Sequence, residues 1–160
     1  MSTRDAPAPS VPPLAGAPPH LLIVRAPYYQ DIVDGLRDGA ARLLTGAGAG
    51  FDVLDVAGAL ELAGAIRLAL RGQRRYHGYV ALGCVVKGET DHYEFVCREA
   101  MAGITAVTLQ FALCVGNGLL TVNDVRQAQA RSGVDGHNKG AEAAAAALRQ
   151  IAAARWLGAE

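Results

Sequence analysis

The segment Gly83-Cys84-Val85-Val86-Lys87-Gly88-Glu89-Thr90-Asp91-His92 joins an apolar run to a helical pattern through a short polar turn. The run from Tyr79 to Val86 predicts a buried strand. Gly88 breaks it, and Lys87, Glu89, Thr90, Asp91 and His92 fill the turn before the helix starts. Strand, glycine turn and helix start together predict a unit of parallel sheet. The same layout sets free backbone amides beside an imidazole, which suits an anion site with a proton carrier.

Working outward, the chain alternates short apolar runs with helical periods. Strands are expected at Leu21–Arg25, Phe51–Val56 and Tyr79–Val86, and a fourth at Ala112–Val115, closed by Gly116-Asn117-Gly118. Helices are expected over Gln30–Leu44, about Ala59–Leu70, about Asp91–Phe111, from a cap at Asn123 to Arg131, and, after a loop Ser132–Asn138, up to Trp156. This order predicts an α/β protein: a four-stranded parallel sheet covered on both faces, with right-handed crossovers. Ligands of such sheets bind at the carboxyl ends of the strands, where Ala26–Gln30, Ala57–Glu61 and Lys87–His92 all lie.

The totals narrow the function. At 160 residues, 51% of them apolar, the chain has enough material for one domain with a proper core. Fifteen Lys and Arg balance fifteen Asp and Glu, so no basic field points to nucleic acid or an anionic membrane surface. Cys84, Cys97 and Cys114 sit singly in apolar runs, as reduced cysteines of a cytoplasmic protein do. No window has the length of a membrane span, and the N-terminus lacks the basic-then-apolar order of a secretory signal. Six of seven prolines fall within residues 1–19, a Pro/Ala-rich segment expected to form a disordered arm before a domain spanning 20–160.

Few side chains remain for chemistry. Tyr28 and Tyr29 stand where the first strand ends, either as a locally packed helix entry or as a stacking face for a planar heterocycle. Glu61, between Leu60 and Leu62, is either a solvated first-turn glutamate or a hydrogen-bonding anchor. Arg131 and the Asn138-Lys139-Gly140 group offer cations to an anion. Neither GxxxxGK[ST] nor GxGxxG occurs, which disfavours nucleoside triphosphates and dinucleotides. His77, His92 and His137 lack the spacing of zinc ligands, so no metal is expected.

Taken in order, Gly58-Ala59-Leu60-Glu61, the 83–92 segment, Gly116-Asn-Gly-Leu-Leu-Thr121, Arg131 and Asn138-Lys-Gly140 resemble the lumazine synthase family. The resemblance runs from about residue 20 to the end. It implies a three-layer, flavodoxin-like sandwich. It also implies condensation of 5-amino-6-(D-ribitylamino)uracil with 3,4-dihydroxy-2-butanone 4-phosphate to 6,7-dimethyl-8-ribityllumazine, releasing phosphate and water, without metal or organic cofactor. By position, Tyr28 would stack on the pyrimidine and Glu61 would hold ribityl hydroxyls in a pocket lined by Ala59 and Leu60. Val85 and Val86 would present backbone groups to the heterocycle, in a pocket where Asn117 stands in place of the aromatic that often closes it. Glu89 and Thr90 would stand at the phosphate amides with Arg131 as charge partner. His92 would transfer protons, and Lys139 would reach across a subunit boundary. The family implies a homopentamer, packed in some members into a 60-subunit icosahedral shell.

The chain departs from the family pattern at four places. Pro27-Tyr28-Tyr29 replaces an arginine, an aromatic and an asparagine. Ala63 replaces a proline, Lys87 a frequent arginine, and Asn117 an aromatic. Two other readings fit the same scaffold: a lumazine- or flavin-binding protein without turnover, and a shell subunit.

Overall fold

Unbroken apolar runs, which put apolar side chains on both faces of the inner strands, dictate a sheet that must be covered twice. The structure, a computed structural model, describes residues 9–134 and 137–159. In it β1 (His20–Ala26), β2 (Gly50–Asp55), β3 (Gly78–Val86) and β4 (Val115–Val122) form one parallel sheet in the order β2-β1-β3-β4. Helices α1 (Gln30–Gly46), α4 (Val125–Ser132) and α5 (Lys139–Leu157) pack on one face, and α2 (Glu61–Arg71) and α3 (His92–Gln110) on the other. Leu21 and Ile23 of β1 point into the first layer with Leu36, Leu44, Leu148 and Ile151. Leu22 and Val24 point into the second with Leu62, Ile66 and Ile104. The expected three-layer α/β sandwich is what the chain forms.

The fourth strand is longer and later than expected. Gly116-Asn117-Gly118 does not close it but lies inside it, paired with Val80, Ala81 and Leu82 of β3. These glycines make room for a helix rather than a turn. A Cβ on Gly116 would lie 1.8 Å from the Ala143 carbonyl oxygen, and one on Gly118 would lie 3.1 Å from the Ala143 Cβ. The alanine-rich face of α5, with Ala143, Ala144 and Ala147 buried, therefore rests almost directly on the β4 backbone. The cap of α4 also differs from expectation. Asp124, not Asn123, accepts from the Gln127 amide at 3.1 Å, and the Gln127 side chain reaches back to the Asn123 amide at 3.0 Å.

Polar contacts close the sheet's ends. The Gln150 side chain grips the outward backbone of Val115, donating to its carbonyl at 2.8 Å and accepting from its amide at 3.3 Å. Arg25, at the end of β1, forks onto both carboxylate oxygens of Asp55 and reaches Asp34 on α1. At the opposite end Asp52 accepts from Tyr76 at 2.8 Å and pairs with Arg74 at 2.8 Å. The Tyr76 hydrogen bond first, then His20 at 3.3 Å and the Arg74 charge, hold the Asp52 carboxyl below its ordinary value. Residues 9–19 carry no helix or strand; Val11 and Leu14 pack on the α1/α5 layer, and Arg149 donates to the Ser10 carbonyl at 2.9 Å. The remainder of the expected arm, residues 1–8, lies outside the described residues.

Replacing Gly116 with Ala is expected to cost about 3 kcal/mol, the upper end of overpacking. Gly46→Ala, where an added Cβ meets nothing within 4 Å, is expected to be neutral or slightly stabilising. Urea midpoints measure both. A depressed folded-state value means that Asp52 stabilises above its unfolded value and that this is lost on acidification. Asp52→Asn should therefore flatten the fall of melting temperature below about pH 4.

Candidate active site

At the carboxyl end of the sheet, the loops after β1, β2 and β3 surround a cavity of about 360 Å³. Tyr28, Ala59, Leu60, Glu61, Val85, Val86, Thr90 and His92 line it, so eight of the expected residues meet in one place. Tyr28 stands exposed, its ring 5.2 Å from that of Tyr29 in an edge-on contact. Tyr29 is half-buried against the core, which makes it the anchor and Tyr28 the free aromatic face. Arg25, locked between Asp55 and Asp34, fixes the base of this loop.

Glu61 opens α2, and its carboxylate lies over Gly58, where an added Cβ would come within 3.1 Å of Oε2. The bare glycine gives the carboxylate room to turn into the cavity without shifting. His92 opens α3, whose cap residue Asp91 makes no side-chain bond to the first turn. The Glu94 amide is taken by the Asp91 carbonyl at 3.0 Å, which leaves the amides of the turn before it, beside Gly88 and Thr90, to face an anion. Glu89 is exposed in the turn and lies outside the cavity lining, so its expected place at the phosphate amides rests on its backbone.

The other three expected residues lie elsewhere. Asn117, Arg131 and Lys139 line a second cleft of about 410 Å³ along the open edge of β4, and its lining shares no residue with the first. Asn117 is held by a bond from its amide nitrogen to the Met101 sulfur at 3.1 Å and by accepting from the Leu119 amide at 3.0 Å. Arg131 donates to the Gln127 carbonyl at 2.8 Å, and the Lys139 ammonium sits 2.5 Å from Glu142 Oε2. Within one chain the stacking face, carboxylate and imidazole are gathered in one cleft and the cations in the other.

Several lining residues escaped the sequence reading. Tyr93, next to His92, lines the cavity near Cys97, and burial, first among the causes, pushes its hydroxyl above the ordinary value. Cys84 and Val96 also line the cavity, and Glu142 accompanies Lys139. Only Glu142 carried a sequence signal, the three-residue spacing of a helical ion pair. Among the described residues, no three His, Cys, Asp or Glu side chains gather as metal ligands do. No helix among them is long and apolar enough to cross a membrane.

Burial pushes the Cys84 thiol up to about 11, so the cavity floor is neutral at physiological pH. Iodoacetamide at pH 8 should leave Cys84 unmodified in the folded protein and label it after denaturation, as read by peptide mass spectrometry.

Comparison with known proteins bears on what these clefts serve. The profile of the 6,7-dimethyl-8-ribityllumazine synthases matches residues 18–155, which include both clefts. A 6,7-dimethyl-8-ribityllumazine synthase of Afipia carboxidovorans is 43% identical over 141 residues, 86% of either chain. One of Bartonella tribocorum is 44% identical over 140 residues, 88% of this chain and 93% of the relative. A 6,7-dimethyl-8-ribityllumazine synthase 1 of Rhizobium meliloti is 43% identical over 147 residues, 89% and 96%. With both clefts inside the matched region and identity of this level over nearly the whole fold, the chain belongs to the 6,7-dimethyl-8-ribityllumazine synthase family.

Proposed function

We propose that the chain is a 6,7-dimethyl-8-ribityllumazine synthase, a transferase of riboflavin biosynthesis. It condenses 5-amino-6-(D-ribitylamino)uracil with 3,4-dihydroxy-2-butanone 4-phosphate in sites shared between neighbouring subunits. The observation that carries this reading is the division of the chemical groups between two clefts with no common lining residue. Each is half of a site, and the β4-edge cleft of one subunit completes the loop cavity of the next. A ring of five subunits closes five such sites without leaving a half-site open, and a homopentamer is the assembly adopted. The short connection between α4 and α5 leaves the pentamer free to pack into a 60-subunit icosahedral shell.

Each group then has a task. Tyr28 stacks on the pyrimidine, the Val85–Val86 backbone meets its polar edge, and Glu61 accepts from ribityl hydroxyls beside Ala59 and Leu60. Glu89 and Thr90 amides and the Thr90 hydroxyl hold the phosphate, with Arg131 of the adjacent subunit as its charge partner. Asn117 closes the ring pocket from the same neighbour, and Lys139 reaches toward the phosphate substrate. The pyrimidine amine attacks the ketone and water leaves to form the imine; phosphate is eliminated, and the ribitylamino nitrogen closes the ring onto the remaining carbonyl with loss of a second water. Holding two reactants in register supplies up to about 7–11 kcal/mol of such a barrier. Proton transfer by the His92 imidazole adds about 10²–10⁴-fold, and Arg131 with the helix-start amides stabilises the departing phosphate. The residues assigned all fall within 20–160, the enzyme domain of this reading. Cysteines kept as thiols suit a reducing, cytoplasmic setting.

Mixing the two substrates with the protein should yield lumazine fluorescence and stoichiometric phosphate. Binding of the pyrimidine without phosphate release would instead mark a ligand-binding relative. His92→Ala should slow turnover by about 10²-fold with pyrimidine affinity retained. Arg131→Ala should raise KM for the phosphate substrate about tenfold or more. Co-assembled His92→Ala and Arg131→Ala subunits should regain activity at interfaces where both intact halves meet. Failure to regain any would count against a shared site.

A further inference from the structure

We propose that Asn138 is the positioning residue that sets Arg131 and Lys139 as one phosphate-binding pair; this rests on the reading above. Asn138 is 5% exposed, and every polar atom of its side chain is engaged. Its Nδ2 donates to the carbonyls of Gly35, Ser132 and Gly133, each at 2.9 Å. Its Oδ1 accepts from the amides of Gly140 at 2.9 Å and Ala141 at 3.0 Å.

One amide therefore caps two helices. It satisfies the last carbonyls of α4 and the first amides of α5, which are orphaned at any helix end. The third carbonyl, from the middle of α1, pins this junction to the body of the fold. Arg131 lies in the last turn of α4 and Lys139 is the first residue of α5. Each cation is thus within a turn of the same anchor, and their spacing in the β4-edge cleft follows from it.

Three glycines clear space for the junction. A Cβ on Gly39 would lie 2.0 Å from Asn138 Oδ1, one on Gly35 2.4 Å from the Ser132 carbonyl oxygen, and one on Gly140 1.9 Å from the Leu36 carbonyl oxygen. Gly35 and Gly39 are on α1 and line neither cleft. A small residue at these places has no role in a ligand pocket, but it is required if the amide must sit where it does. The chemistry also separates capping from clamping. A serine at 138 keeps an oxygen for the α5 amides but lacks the two-hydrogen donor that reaches the three carbonyls.

The test is steady-state kinetics on Asn138→Ser and, independently, Gly39→Ala, with both substrates varied. Each variant is expected to raise KM for the butanone phosphate by about tenfold, because small displacements of a positioning group far from the reacting atoms are amplified. KM for the pyrimidine and its affinity by fluorescence titration should stay within about twofold. In an Arg131→Ala background Asn138→Ser should add little, since coupled groups are not additive. Unchanged KM for the phosphate substrate, or equal rises for both substrates, in whichever variant folds would overturn the assignment. A wild-type protein that makes no lumazine overturns the function proposed above, and this assignment with it.

Discussion

The architecture depends on how closely α5 approaches β4. Helices normally stand on a sheet at the distance set by their side chains. Here Gly116 presents bare backbone to the Ala143 carbonyl, and the facing helix surface is alanine. The same device recurs where Gly140 meets Leu36 of α1. The α1/α4/α5 layer is consequently drawn in tightly, and the first turn of α5 is brought level with the open edge of β4. Lys139 and Glu142 gain their place in the edge cleft from that approach. A bulkier strand or helix would lift the pair away from Asn117 and Thr121 on the same edge.

The two clefts differ in kind. The loop cavity has a neutral floor of Cys84, Val85 and Val86, a free aromatic face, one carboxylate and one imidazole. Such a surface orders a planar, hydroxylated reactant through stacking and a few directed hydrogen bonds. The edge cleft is built from cations at helix ends. Guanidinium and ammonium groups held by a backbone carbonyl and by Glu142 are poorly suited to recognising a ring but well suited to a phosphate.

How far these features could be read from the residues varies with what each residue does. The strands β1 and β3 were legible because both of their faces are buried, which writes an unbroken apolar run. Strand β4 was misplaced because its glycines carry a helix rather than a turn, and a local pattern cannot distinguish those causes. The α4 cap shifted by one residue because Asn123 and Asp124 are equally good candidates until the Gln127 bond is seen. Eight of the named residues line one cavity, and they could be named together only because a family pattern ordered loops that were ambiguous singly. Tyr93 and Cys84 could not be found: one reads as a helix residue beside a histidine, the other as a core thiol. That Asn117, Arg131 and Lys139 fall in a separate cleft depends on the strand order, which no short motif encodes.

The Gln150 clamp on Val115 has a consequence for how copies of this chain can meet. An edge strand offers its outward amides and carbonyls to any extended peptide, and such ladders can slip in two-residue steps. At Val115 both groups are already engaged by a side-chain amide, so this end of the sheet cannot be lengthened without displacing it. Any ladder along β4 must therefore begin beyond Val115, on the stretch that borders the edge cleft.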